Sequence, residues 1–278
     1  MRNKISPWAW VPTLYFAEGL PNVIVTIVSL VLYKQLGLSN AEITFYTSWL
    51  NLPWVVKPLW SPFVDAVKTK RWWVITMQLL IGASLGGVAF TIPTSMWLQS
   101  TLFFFWIMAF SSATHDIAAD GFYMLELNPH DQTFFVGIRS TFYRLASIFG
   151  QGVLVMIAGN IQVMLRGAIS YSWSLLFYGV AGIFIALWLW HNAKLPRPKD
   201  DTDHEQVTVT SVVSDLGKTI SSFFSKFPLK ETVFAFLFML LFRMPEGLLV
   251  KVSSLFLIDS QSCGGLGLSP AEYGFVQG

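Results

Sequence analysis

Nine ionisable side chains stand inside long apolar stretches: Glu18, Lys57, Asp116, Asp120, Arg139, Arg144, Arg243, Glu246 and Lys251. A charge at bilayer depth costs about 2.5–3.5 kcal/mol on insertion scales, so each should face a bundle interior or a wet cavity. Lys57 follows Ile43 by about 21 Å of helix and precedes Asp65 by about 12 Å, too deep to snorkel to either interface. An ammonium at that depth suits an anionic group such as a carboxylate; the competing reading is a structural ion pair with Glu18 or Asp116. Asp116 and Asp120 are four residues apart on one helix face and need a cation close by, for which Arg144 is the expected partner. Asp120 is read as half of a gating bridge and Asp116 as a proton-carrying carboxyl. Glu18, beside Gly19 and before Pro21 where the backbone is loosened, is the other candidate proton carrier. Glu246 has the same setting. Arg243 and Lys251, one or two turns away, can offset its charge and join Lys57 as anion ligands. Asp65 and Arg71 bracket a short loop and are expected to hold a gate.

The elements that position these residues must be membrane helices. Of the 278 residues 54% are apolar and 12% charged, against roughly 25% charged in a soluble domain, and the mean hydropathy is +0.55. The net charge of +2 is too small to suggest nucleic acid. The single cysteine, Cys263, excludes an intrachain disulfide, and His115, His130, His191 and His204 lack metal-ligand spacing. There is no phosphate-binding glycine loop, so neither ATP-driven work nor a bound cofactor is expected. The charged start is read as the flank of an uncleaved first span. Spans of about 20 apolar residues are expected at 8–33, 43–65, 72–92, 96–123, 133–160, 168–191 and 232–258, with an eighth beginning near Pro270. Spans three and six carry no deep charge and should face lipid. Pro53, Pro58 and Pro62 should kink span two around a cavity.

Basic residues concentrate in alternate loops: Arg2 and Lys4, then Lys68, Lys70 and Arg71, then Lys194, Arg197 and Lys199, with Lys34 and Arg166 on the other side. This puts the N-terminus and the 192–231 linker in the cytoplasm. Within the linker, Val212, Val213, Leu216, Ile220, Phe223, Phe224 and Phe227 recur at helical spacing. They form an amphipathic helix that lies on the membrane face or packs on the bundle.

The chain also repeats itself. FAEGLP at 16–21 resembles RMPEGLL at 243–249, and LGLSNAE at 36–42 resembles LGLSPAE at 266–272. Glu18 to Glu246 is 228 residues and Leu36 to Leu266 is 230. Duplicated six-span halves joined by a long cytoplasmic loop are the plan of major facilitator transporters. The expected fold is therefore an all-α membrane protein. Residues 1–191 form a six-helix bundle, 192–231 the linker and 232–278 the start of a second bundle, so that alone the chain should not complete alternating access.

EGLP (18–21), KPLWSPFVD (57–65), the Asp116–Asp120 pattern DIAxD and YRL (143–145) together resemble the AmpG-type muropeptide permeases. These belong to the peptide and acetyl-coenzyme-A transporter branch of that superfamily. The resemblance implies proton-driven import of anhydromuropeptides across a bacterial inner membrane for cell-wall recycling, by a protein monomeric when complete. Such permeases carry a basic residue soon after the second aspartate, whereas GFYMLEL (121–127) has none; Arg139 is the substitute from span five. Another anionic sugar- or acyl-containing solute is the nearest alternative substrate. The rivals from other classes are a membrane-embedded transferase, for which no nucleophile or His/Asp cluster is found, and a non-transporting sensor or assembly subunit.

Overall fold

The computed structural model describes residues 5–198, 201, 214, 217–218, 221–222 and 228–278. The apolar positions of the expected linker helix, from Val212 to Phe227, lie outside the described residues. Among the described residues, six continuous helical stretches are long and apolar enough to cross a bilayer: Pro7–Gln35, Lys70–Thr91, Trp97–Glu126, Pro129–Met164, Ile169–Lys194 and Leu229–Ile258. No strand occurs among the described residues. The protein is an all-α, multi-pass membrane protein, the arrangement in which each backbone polar group is satisfied within its own segment.

The first stretch comprises α1 (Val11–Val23), a π-helical segment (Ile24–Val28) and α2 (Ser29–Gln35). It is the most buried of the six, because α1 packs against both α7 (Trp97–Glu126) and α8 (Pro129–Ile148). Small residues allow that approach: a Cβ on Gly19 would stand 2.9 Å from the Tyr143 carbonyl oxygen of α8. Pro21 sits inside α1, and the wide π turns follow it at once, the local disorder in the hydrogen-bond ladder that a missing N–H provokes.

The expected second span is not one helix. It runs as α3 (Asn40–Trp49), α4 (Leu52–Val56), a 3-10 turn (Lys57–Leu59) and α5 (Ser61–Ala66). Pro53, Pro58 and Pro62 each occupy the first turn of one of the last three pieces. A proline is tolerated there because its missing N–H has no intrahelical partner. The prolines therefore restart the chain three times rather than kinking a rod.

α6 (Lys70–Thr91) is held between α7 and α10 (Ile169–Lys194). Both uncharged spans present apolar side chains outward, including Leu79, Leu80 and Phe90 of α6 and Leu175, Tyr178 and Leu189 of α10. α6 is nonetheless as buried as α7, since it has helices on two sides. A buried polar chain ties four spans together. Thr13 Oγ1 meets His191 Nε2 at 2.9 Å, His191 Nδ1 meets Gln78 Oε1 at 3.0 Å, and Gln78 Nε2 meets His115 Nε2 at 3.0 Å. The π-helical segment Phe149–Leu154 links α8 to α9 (Val155–Met164). Beyond the linker stand α11 (Leu229–Ile258) and α12 (Pro270–Gln277), the latter packed on α9.

Candidate functional site

Five of the deep charges of the first five spans, Glu18, Lys57, Asp116, Asp120 and Arg139, converge on α7. Because Lys57 opens the 3-10 turn, its side chain leaves the broken span sideways, and Nζ donates to Asp116 Oδ2 at 2.9 Å. The Lys57 side chain keeps 36% of its surface exposed and that of Asp116 14%, so the pair borders open space. One turn along α7, Asp120 Oδ1 accepts from Tyr15 Oη at 3.0 Å and from Arg139 Nη2 at 3.0 Å. The Arg139 guanidinium also lies 4.7 Å from the centre of the Tyr15 ring and 5.3 Å from that of Tyr123, within cation–π range. Glu18 joins the cluster from α1. Its carboxyl is within hydrogen-bonding reach of Asp116 and close to Asp120, and its Oε2 is buried without a partner among the described residues.

Arg144 is not the cation of this cluster. It is exposed and pairs with neither aspartate among the described residues, and Arg139 takes the expected place. Five residues on a helix turn through about 500°, so the two arginines point about 140° apart. Once α8 is rotated to bring Arg139 onto Tyr15 and Tyr123, Arg144 faces elsewhere.

Asp65 and Arg71 are not partners either. Asp65 pairs with Lys70. Arg71 donates through Nη2 to the Asn192 carbonyl at 2.7 Å and through Nε to that of Leu195 at 3.3 Å. These are carbonyls left free at the C-terminal end of α10, where a cation is favoured. Asp201 in turn accepts the backbone N–H groups of Lys70 and Arg71, at 2.6 and 3.1 Å. The loop between α5 and α6 is thus stitched to the start of the linker.

In the second repeat, Glu246 pairs with Arg243 on an exposed face of α11, and neither touches the Glu18 cluster. Lys251 Nζ donates instead to Ser48 Oγ at 2.7 Å and Thr47 Oγ1 at 3.2 Å on α3. Among the described residues no three His, Cys, Asp or Glu side chains are grouped to hold a metal. Tyr15, Tyr123 and Gln78 belong to the site or its supports without having been singled out from the sequence. Tyr15 carried a signal, since it precedes Glu18 by three residues and shares its helix face.

The model of the BT1 family matches residues 17–275, nearly the whole chain. The chain belongs to the BT1 family. The resemblance carried by EGLP, KPLWSPFVD and DIAxD points the same way. Proteins of Rickettsia felis and Rickettsia conorii, each named "Putative transporter AmpG 4", are 26% and 25% identical to it over 272 residues, or 95% of this chain. An uncharacterized protein of Schizosaccharomyces pombe is 25% identical over 231 residues, 74% of this chain and 41% of its own length. The chain spans 63% of the length of the two rickettsial relatives. The class named by these relatives is transporter, not enzyme.

Proposed function

We propose that the protein is a proton-coupled secondary transporter importing an anionic solute of the muropeptide type, from a bacterial inner membrane with its N-terminus in the cytoplasm. The observation that carries this reading is the charge balance on α7. Three carboxyls (Glu18, Asp116 and Asp120) face two cations, Lys57 and Arg139, and Glu18 has a buried oxygen that no donor reaches among the described residues. One added proton makes the cluster neutral, and the Glu18–Asp116 contact is where it would be shared.

Coupling follows from that geometry. A substrate carboxylate that takes Lys57 from Asp116 leaves Asp116 beside Glu18 with no cation. An unpaired buried charge costs several kcal/mol, about 3–5 in a dry site, so the anion enters together with a proton that the two carboxyls share, leaving one negative charge on the pair instead of two. Release of the anion returns Lys57 to Asp116 and expels the proton. Arg139, held by Asp120 and two tyrosine rings, remains available for a second acidic group of the solute.

The test is transport by the complete protein in vesicles with an imposed proton gradient. Lys57→Ala should abolish binding of an anhydromuropeptide, and Glu18→Gln should permit binding and exchange while losing gradient-driven accumulation. Unchanged affinity in Lys57→Ala removes that residue as the anion ligand. Full accumulation in Glu18→Gln removes the carboxyl pair as the proton site.

A further inference from the structure

We propose that Lys34, Asn40 and Asp259 form a latch between the two halves, on the membrane face opposite the linker, that must part for the site to open there. This rests on the two-half transporter reading above. Lys34 ends the first span, Asn40 starts α3, and Asp259 follows α11, the first helix of the second repeat. The three side chains close a ring. Lys34 Nζ pairs with Asp259 Oδ1, Lys34 Nζ donates to Asn40 Oδ1 at 2.6 Å, and Asn40 Nδ2 donates to Asp259 Oδ2 at 2.7 Å.

Three features make this a latch and not a weld. The Lys34 and Asp259 side chains keep 22% and 15% of their surface exposed, so water can replace their bonds when they separate. Beside the ring, Thr44, Ser48 and Trp49 of α3 and Val252 and Phe256 of α11 border a cavity of about 760 Å³. A second crossing contact in the same seam, Lys251 to Thr47 and Ser48, is again polar.

The repeat shows that Asn40 is a departure from the plain helix start. In both copies a serine caps the helix and a glutamate closes the capping box: Ser39 with Glu42, and Ser269 with Glu272. The second copy has Pro270 at the first helical position, where the fixed φ of proline is pre-organised for a helix. The first copy has Asn40 there. Its amide adds nothing to the capping box and is spent on Lys34 and Asp259.

That comparison supplies the decisive variant. Asn40→Pro reproduces the helix start found at Pro270 and removes the bridge, so loss of the latch is separated from loss of fold. Spin labels on Ala41→Cys and Ser262→Cys, in a Cys263→Ser background of the complete protein, report the seam distance by double electron–electron resonance. Asn40→Pro, Lys34→Gln and Asp259→Asn should each shift population to longer distances, by about two- to fivefold in the open-to-closed ratio for a partly exposed pair. The exchange Lys34→Asp with Asp259→Lys should bring the short distance back. An unchanged distance distribution in all three single variants would overturn the latch. So would unimpaired transport after disulfide locking of Lys34→Cys to Asp259→Cys. Distances that shift as expected in a protein that accumulates no solute would leave the latch standing and remove the transport reading.

Discussion

Arg139 and Arg144 differ by less than two turns of one helix, yet among the described residues only the first has an anionic partner. The reason is the pair of rings: Tyr15 donates to Asp120 while its face and that of Tyr123 receive the guanidinium. The sequence marked Asp120 as needing a cation but pointed to Arg144 rather than Arg139, since the choice depends on how α8 is rotated against α1. Lys57 was more legible, because its depth admitted few partners, and Asp116 is the one it meets. The Arg139–Asp120 side chains keep 28% and 37% of their surface exposed, so Arg139→Ala should cost about 1–2 kcal/mol, short of the 3–5 of a dry buried pair. Arg144→Ala should stay within about 0.5 kcal/mol. Detergent unfolding of both variants measures the difference, and equal losses would mean that Asp120 draws on both arginines. Asp259 makes a prediction in pH. Burial opposes its charge, but the hydrogen bonds from Lys34 and Asn40 and the Lys34 charge hold its carboxyl below the ordinary 3.8. A depressed carboxyl contributes above its unfolded value and is lost only as pH falls through the folded one. The short seam distance should therefore persist unchanged from pH 8 to about pH 5. Its loss within that window would place the titrating group elsewhere.

The broken second span shows which part of an element composition conveys and which it does not. Proline count and spacing signalled irregular backbone, but a kinked rod and a row of restarted helices have the same composition. What separates them is that Pro53, Pro58 and Pro62 each fall in the first turn of a piece, so each is accommodated with no intrahelical bond lost. Replacing Pro58 and Pro62 together by alanine should let 52–66 run on as one helix and carry Lys57 away from Asp116. A double-mutant cycle of Lys57→Ala and Asp116→Asn should then fall towards additivity in the Pro58→Ala, Pro62→Ala background. Undiminished coupling there would show that packing, not proline, breaks the span. Of the two repeated motifs, LGLSNAE and LGLSPAE fold alike, whereas Glu18 is buried and Glu246 exposed. Gly37 and Gly267 have φ of +93° and +72°, and Ser39 and Ser269 hold the Glu42 and Glu272 carboxyls below the usual carboxylate range. A Cβ on Gly37 would meet nothing within 4 Å, and one on Gly267 only ordinary contacts from 3.8 Å outward. Gly37→Ala and Gly267→Ala should therefore both cost the left-handed backbone penalty alone, about 1–2 kcal/mol. Widely different losses would mean that the two turns are not equivalent.

Across the whole molecule, the loops carry the sign of the membrane. Lys70 and Arg71 are engaged with Asp65, Asp201 and the end of α10 at the linker face, whereas Lys34 on the other face is taken up by Asp259. The loops on the linker side also carry Lys68, Lys194 and Arg197, against Arg166 on the other, and this distribution is what supports the proposed cytoplasmic placement of the linker. That expectation comes from the sequence because it depends on loop charge counts, not on packing; how α11 meets the first bundle could not be read, since its contacts join residues more than 200 positions apart, such as Lys251 with Thr47 and Ser48. Cys263 turns the orientation into a measurement. It is the one cysteine in these 278 residues, it is exposed, and it lies in the turn between α11 and α12, on the same face as the latch. A membrane-impermeant maleimide added to intact spheroplasts should label it, and Cys263→Ser should remove that label. Asp259, four residues away, closes the latch, so labelling should quicken in Asn40→Pro if opening frees the turn. If Cys263 reacts only after the membrane is breached, the N-terminus and linker lie outside, the solute path runs the other way, and the latch faces the cytoplasm.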